Sequence, residues 1–348
     1  MDNSNNISDS RLQFIKDLAH SRPAMIFSVL ILAAVIFILV VNSSREDVSA
    51  SADGSNVPPL ITPLADDPFD DSGLSARAVL VTDLYNGKIY LEKNKDIPLP
   101  LASLAKLMTA LVALETLPGE EIITITASAI LNEGDSGLHI GEKWNLRELV
   151  KFFLITSSND AAAAVSMGVN QAFPFVKNET GEESGDEQDY FVTLMNAKAR
   201  QIGLVSATFH NSTGLDLDDR EAGAYGSASD VSAMIRELFF RYPDVFSATS
   251  QTEEKLSSFS AVYEVRNTNR ILAQIPNVSA SKTGFTDLAG GNLAVILDSS
   301  FGRPISIVVL GSTQEDRFND IQKISDAVMK RLRVESYNQR TISNGQNK

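Results

Sequence analysis

AVLVTDLYNGKIYLE, residues 78–92, contains two short runs rich in β-branched and aromatic residues. The dipeptide Asn86-Gly87 separates the runs and favours the tight turn of a β-hairpin. Near the other end of the chain, GNLAVILDSSFGRPISIVVLG (291–311) predicts two more strands around a turn at Gly302. Most segments between these two regions have helical periodicity. The sequence therefore predicts an α/β fold of the α+β type, in which strands from both chain ends form one antiparallel sheet under a helical middle region.

The N-terminal region predicts a membrane anchor. No charged residue occurs between Ala24 and Val41, and a spanning helix needs roughly 17 to 25 apolar residues. Basic residues are concentrated before this run, which places the N-terminus in the cytoplasm and the remainder outside. A cleaved signal peptide is the alternative, because ASA at 50–52 could be a cleavage site, although it lies far downstream. We expect a single-pass protein of the cell membrane with an extracytoplasmic domain.

The composition changes after this anchor. A segment rich in Ser, Asp and Pro follows it, as expected of a flexible tether. The predicted regions are a cytoplasmic tail (1–23), a transmembrane signal anchor (24–41), a flexible linker (42–75), a folded domain (76–335) and a polar tail (336–348). A run of acidic residues at 177–189 is expected to be a solvated loop, and a cationic partner for it is the less favoured interpretation.

Charge and residue usage exclude several classes of function. The 348-residue chain has a net charge of -14, whereas nucleic-acid binding needs a basic face. It has no Cys, which removes disulfides and thiolate chemistry. Its three His form no close pair, so the sequence offers poor candidates for a His-based metal site or a Ser-His-Asp triad. We therefore predict no metal site.

PLPLASLAKLMTALVALE (98–115) is an apolar stretch that two polar residues interrupt, Ser103 and Lys106. Pro100 suits the first turn of a helix, so Ser103 is expected near a helix N-terminus, where backbone N–H groups are unpaired. Residues three apart share a helix face, so the Lys106 amine could activate the hydroxyl while the N–H groups hold an oxyanion. For this stretch alone, a serine without catalytic function and a lysine that reaches water are the simpler explanation.

A second polar cluster interrupts a helical pattern at LITSSNDAAAA (154–164). Short polar side chains compete for backbone hydrogen bonds and favour caps and turns. Ser157 and Asn159 therefore either cap a helix or project a hydroxyl and an amide into a cleft.

The third cluster lies in SASKTGF (279–285), immediately before a predicted strand. Lys282 and Thr283 together could bind a carboxylate, and Gly284 lets another backbone approach closely. An ordinary strand end at the surface is the alternative for this cluster alone.

In combination these clusters are far more specific. Ser-x-x-Lys, Ser-x-Asn and Lys-Thr-Gly, in this order, are the signature set of penicillin-binding proteins and class A β-lactamases. The chain resembles the low-molecular-mass D-alanyl-D-alanine carboxypeptidases, peptidase family S11, over roughly residues 76–335. The resemblance implies a β-lactamase/transpeptidase-like fold with a five-stranded antiparallel sheet. Further matching segments are FVTLMNAKARQIGL (191–204), TFHNSTGLD (208–216), NTNRIL (267–272), KTGFTDLAG (282–290) and VVLGSTQEDRF (308–318).

The resemblance implies a role for each residue of these motifs. Ser103 would attack the carbonyl between the last two D-alanines of a peptidoglycan stem peptide and form an acyl-enzyme. Lys106 would be the general base, and Ser157 would relay a proton to the leaving amine. The implied substrate-binding residues are Asn159, Lys282, Thr283, Gly284 and Phe285, with the backbone N–H groups of Ser103 and Phe285 as the oxyanion hole. β-Lactams would acylate Ser103, and no cofactor is implied.

Three rival functions remain open at this stage. An endopeptidase that cuts D-Ala cross-links would use the same residues. A β-lactamase would need a glutamate on a loop between the second and third motifs, and a silent peptidoglycan-binding protein would not need all the motifs intact. Members of the family often carry Gly shortly before Lys-Thr-Gly, where this chain has Ala280 and Ser281. Arg317, which follows the last predicted strand, is expected at the surface, and electrostatic support of the active-site region is the less favoured interpretation.

Overall fold

A computed structural model describes residues 69, 73–131, 134, 137–173, 190–298 and 302–345. The predicted membrane span (24–41), most of the predicted linker (42–75) and the acidic loop (177–189) lie outside the described residues. Within the described ranges, no helix is both long enough and apolar enough to cross a bilayer.

The described residues form strands at both ends and helices mainly between them. The strands are β1 (Ala78–Asp83), β2 (Ile89–Lys93), β3 (Leu99–Pro100), β4 (Ile122–Thr124), β5 (Lys143–Asn145), β6 (Thr208–Phe209), β7 (Ala224–Gly226), β8 (Glu253–Ser257), β9 (Val262–Arg266), β10 (Val278–Thr286), β11 (Gly290–Asp298) and β12 (Pro304–Ser312). The α-helices are α1 (Ala105–Thr116), α2 (Leu146–Thr156), α3 (Asn159–Ala172), α4 (Tyr190–Gln201), α5 (Ala228–Arg241), α6 (Pro243–Phe246) and α7 (Asp316–Gly345).

The main sheet has the order β10-β11-β12-β1-β2, and every neighbouring pair is antiparallel. The hairpin predicted around Asn86-Gly87 joins β1 to β2, and Gly87 has the positive φ of 72° that such a turn requires. The turn predicted at Gly302 joins β11 to β12. Because β1 pairs with β12, strands from both ends form one sheet. The predicted fold class and five-stranded sheet are confirmed.

The two faces of the sheet belong to separate hydrophobic cores. Alternate residues of β1 point to opposite faces: Leu80 joins the core under the helical middle region, and Val81 joins the core under α7. α7 contributes Phe318 and Ile321 to the second core. This helix continues to Gly345.

The predicted helix of the Ser103 segment begins later than expected. Pro100 is not in a first helical turn but in β3, where it pairs with Tyr225. The fixed φ of proline also suits an edge strand, and the partner strand lies too far along the chain for a local pattern to reveal it. A short 3-10 helix at Ala102–Leu104 then leads into α1, which is buried from Ala105 to Leu114.

Candidate active site

Ser103 lies in the 3-10 turn, half-buried, between β3 and α1. The preceding residue, Ala102, has a φ of 49°, a left-handed conformation that costs a non-glycine residue about 1–2 kcal/mol. Asn292 of β11 is fully buried and its Nδ2 donates to the carbonyls of Pro100 and Leu101, at 3.0 Å each. These bonds tie the turn to the sheet and fix the position of the Ser103 hydroxyl.

Lys106 lies beneath Ser103 and is fully buried. Its Nζ is 2.9 Å from Ser103 Oγ, 2.7 Å from Asn159 Oδ1 and 2.7 Å from the carbonyl oxygen of Thr213. Burial disfavours the charged form and lowers the pKa of Lys106 to about 7. A substantial fraction of this lysine is therefore neutral near neutral pH.

In the second cluster, one residue caps a helix and two others contact the lysines of the site. Ser158 is the helix cap, because its Oγ accepts from the backbone N–H of Ala161 at 3.0 Å. Ser157 ends α2 with a φ of 63°, and its Oγ accepts from Lys282 Nζ at 2.8 Å. Asn159 contacts Lys106, so Ser157 and Asn159 each bind one of the two lysines.

The third cluster lies on the edge strand β10, next to the other two. Lys282 is 1% exposed, and its Nζ also donates to the carbonyl of Thr283 at 2.9 Å. Burial, followed by the nearby charges of Lys106 and Arg317, lowers the pKa of Lys282 well below its ordinary value. The structure thus brings together six residues of the three motifs: Ser103, Lys106, Ser157, Asn159, Lys282 and Thr283.

Gly284 allows β10 to approach the Ser103 turn. A Cβ on Gly284 would lie 2.9 Å from the carbonyl oxygen of Leu101 and 3.2 Å from the backbone nitrogen of Ser103. Phe285 follows Gly284 in β10, and 41% of this residue is exposed. This arrangement suits a pair of backbone donors for one oxyanion.

Arg317, expected at the surface, is buried instead. Only 8% of it is exposed, and Nη1 donates to the carbonyl of Gly284 at 2.6 Å. Burial, and then the charge of Arg270, lowers the pKa of Arg317 to about 10. The expectation was wrong because α7 packs onto the sheet and directs its first turn toward β10, which local sequence does not reveal.

The loop between β6 and β7 also contributes to the site, although its residues belong to none of the three motifs. Asn211 Oδ1 accepts from the backbone N–H groups of Thr213 and Gly214, at 3.1 and 2.7 Å, and so shapes the loop. Asp216 accepts from Thr286 Oγ1 at 3.0 Å and from the Leu288 N–H at 3.2 Å, just after Phe285. One loop therefore supports both the lysine of the site and the end of β10.

We expect Gly214→Ala to destabilise the protein much more than Gly87→Ala. Both glycines have positive φ, 79° and 72°, so both substitutions impose backbone strain. A Cβ at Gly214 would lie 1.9 Å from the Ala102 carbonyl oxygen, whereas a Cβ at Gly87 meets no atom within 4 Å. The clash should cost roughly 1–3 kcal/mol of unfolding free energy beyond the shared strain. Urea unfolding measures both variants, and equal losses would contradict this contact.

Comparison with known proteins identifies similar sequences. Residues 66–314 match the family Peptidase_S11, D-alanyl-D-alanine carboxypeptidase. D-alanyl-D-alanine carboxypeptidase DacF of Bacillus subtilis is 30% identical over 72% of this chain, and the match spans only 61% of that protein. A D-alanyl-D-alanine endopeptidase of Pseudomonas aeruginosa is also 30% identical, over 76% of this chain and 78% of the relative.

Solved structures have the same fold. Ampicillin-bound penicillin-binding protein D2 of Listeria monocytogenes aligns with a TM-score of 0.58 and 28% identity, over 73% of this chain and 97% of that one. A D-alanyl-D-alanine carboxypeptidase of Mycobacterium tuberculosis aligns with a TM-score of 0.62 and 22% identity, over 73% and 91%. The described domain thus has the penicillin-binding, transpeptidase-like fold that the motifs implied.

Proposed function

Because the chain belongs to peptidase family S11, the D-alanyl-D-alanine carboxypeptidases, we propose that it removes the terminal D-alanine from peptidoglycan stem peptides. Ser103 attacks the carbonyl between the last two D-alanines and forms an acyl-enzyme, which water then hydrolyses. β-Lactams occupy the same site and acylate the same hydroxyl. The proposed catalytic residues are Ser103, Lys106 and Ser157.

The surroundings of Lys106 Nζ are the observation that carries this proposal. A neutral amine has two N–H donors and one lone pair. Two of its three oxygen neighbours, Asn159 Oδ1 and the Thr213 carbonyl, can only accept hydrogen bonds. With both N–H groups donated there, the lone pair faces Ser103 Oγ at 2.9 Å. Burial favours this neutral form, so Lys106 is arranged to take the proton of the nucleophile.

The remaining groups protonate the leaving amine, stabilise the oxyanion and bind the substrate carboxylate. Lys282 Nζ donates to Ser157 Oγ, which leaves the Ser157 proton available for the departing amine. The N–H groups of Ser103 and Phe285 stabilise the oxyanion. Lys282 and Thr283 hold the carboxylate of the terminal residue, with Asn159 and Gly284 shaping the rest of the subsite.

We also propose that residues 24–41 anchor this domain to the cell membrane, with the site on the extracytoplasmic side. The uncharged apolar run and the concentration of basic residues before it support this orientation. The proposed substrate lies on the same side of the membrane as the site.

Product analysis tests the proposed reaction. The purified full chain should release free D-alanine from a stem pentapeptide ending in D-Ala-D-Ala, and this release should stop after preincubation with penicillin. A D-Ala cross-linked muropeptide dimer serves as the second substrate and should not be converted to monomers. Absence of D-alanine release by the full chain would overturn the proposal.

Cross-link endopeptidase activity is the second candidate function. It is favoured by the similarity to the Pseudomonas endopeptidase. The match spans 78% of that protein but only 61% of the Bacillus carboxypeptidase. Conversion of the dimer to monomers without release of D-alanine would support it. Both reactions use the same acyl-enzyme on Ser103.

A further inference from the structure

Thr268 follows β9 and contacts two parts of the site without belonging to any of the three motifs. Its Oγ1 lies 2.6 Å from Thr283 Oγ1, the hydroxyl of the Lys-Thr-Gly motif. Its backbone N–H donates to the carbonyl of Ile155, at 3.2 Å, near the end of α2. Thr268 therefore bridges the strand that carries Thr283 and the helix that leads to Ser157.

The neighbours of Thr268 hold it firmly. Asn267 is buried, and its Nδ2 donates to the carbonyls of Thr249 and Gln251, at 2.9 and 3.1 Å. Asn269 is also buried, and its backbone N–H donates to Asn267 Oδ1 at 2.8 Å. These bonds hold the backbone on both sides of the exposed Thr268.

The direction of the bond between the two hydroxyls follows from the donor count. Each threonine hydroxyl has one proton to donate. A substrate carboxylate is only an acceptor, so Thr283 must donate its single proton to the carboxylate. Thr283 Oγ1 can then only accept from Thr268. The alternative acceptor for Thr268 Oγ1, the Ile155 carbonyl, is more distant at 3.4 Å.

We propose that Thr268 is a positioning residue for carboxylate recognition, acting through Thr283. By donating to Thr283 Oγ1, it orients the Thr283 proton toward the carboxylate and polarises that hydroxyl, as linked hydrogen bonds do. This inference rests on the proposed function.

The test compares an acid-terminated and an amide-terminated D-Ala-D-Ala peptide. Thr268→Val replaces the hydroxyl with a methyl group of similar shape, and Thr268→Ser keeps the hydroxyl. We expect Thr268→Val to lower kcat/KM for the acid peptide by roughly 10-fold, mainly through KM, as for loss of one neutral hydrogen bond from a linked pair. The amide peptide should change by less than about twofold, and Thr268→Ser should retain most of the activity on the acid.

A matched control is Thr124→Val, the same change at an exposed position of β4. Thr268→Ala also removes the hydroxyl but introduces no branched side chain. This variant is used in place of Thr268→Val if the valine variant does not fold. Equal losses on the acid and amide peptides would show a merely structural role and overturn the inference. An unchanged kcat/KM for the acid would also overturn it. In contrast, failure of the unsubstituted chain to release D-alanine would overturn the proposed function itself.

Discussion

Ser103→Ala should abolish covalent labelling by a fluorescent penicillin and lower D-alanine release by roughly 10⁴-fold or more. The substitution removes the hydroxyl that lies 2.9 Å from the buried Lys106 amine, while Asn159 Oδ1 and the Thr213 carbonyl still accept the N–H groups of that amine. The fold should therefore persist without the nucleophile. Gel fluorescence and the intact mass of the protein after incubation with penicillin measure the adduct.

Ser260→Ala is the matched control for this change. Ser260 is an exposed serine between β8 and β9, with its Oγ 3.4 Å from Ser258 Oγ. This variant should be labelled as fully as the unsubstituted chain. If Ser103→Ala were labelled to the same extent, Ser103 would not be the nucleophile.

The acylation rate should rise as the pH increases through about 7. Burial lowers the pKa of Lys106 to about 7, and only the neutral amine, which dominates above that pH, can accept the Ser103 proton. Lys106→Met should lower the rate by roughly 10²- to 10⁴-fold, as for loss of a general base. It should also remove the inflection near pH 7. Stopped-flow acylation by a β-lactam at pH 5 to 9 measures both effects.

Lys255→Met makes the same substitution at an exposed lysine of β8, where Nζ pairs with Glu264 at 2.8 Å. Its rate and pH profile should match those of the unsubstituted chain. An inflection that persists in Lys106→Met would assign the titration to another group. Lys282 would then be the first candidate, because its pKa is also lowered.

The strands that could be predicted from the sequence are those with strong local patterns. β1 and β2 flank Asn86-Gly87, and β11 and β12 flank Gly302, so both hairpins are encoded over short distances. β3 could not be predicted, because its hydrogen bonds depend on pairing Pro100 with the distant Tyr225. The sheet was predictable in outline because its two hairpins lie at opposite ends of the domain.

Site residues were likewise predictable where a local sequence pattern identifies them, and not where tertiary contacts alone place them. Side-chain groups with a fixed spacing, such as Ser103 and Lys106, leave a readable pattern. The Thr213 carbonyl leaves none, because every residue carries a backbone acceptor and only the loop conformation aims it at Lys106. The hydroxyl of Thr268 and the guanidinium of Arg317 reach the site through tertiary packing, so the matching segments at 267–272 and 308–318 contain these residues without revealing their contacts.

The joining of both chain ends in one sheet also means that the sheet can form only late in chain synthesis. In the main sheet, β11 and β12 lie between β10 and β1, and Ser75 donates its N–H to Asp320 across 245 chain positions. Contacts of such sequence separation can form only after both partners have emerged. A chain whose synthesis has not reached β10 thus carries Ser103 without Lys282 or Thr283. Penicillin labelling would consequently report completed folding, and nascent chains would escape the drug.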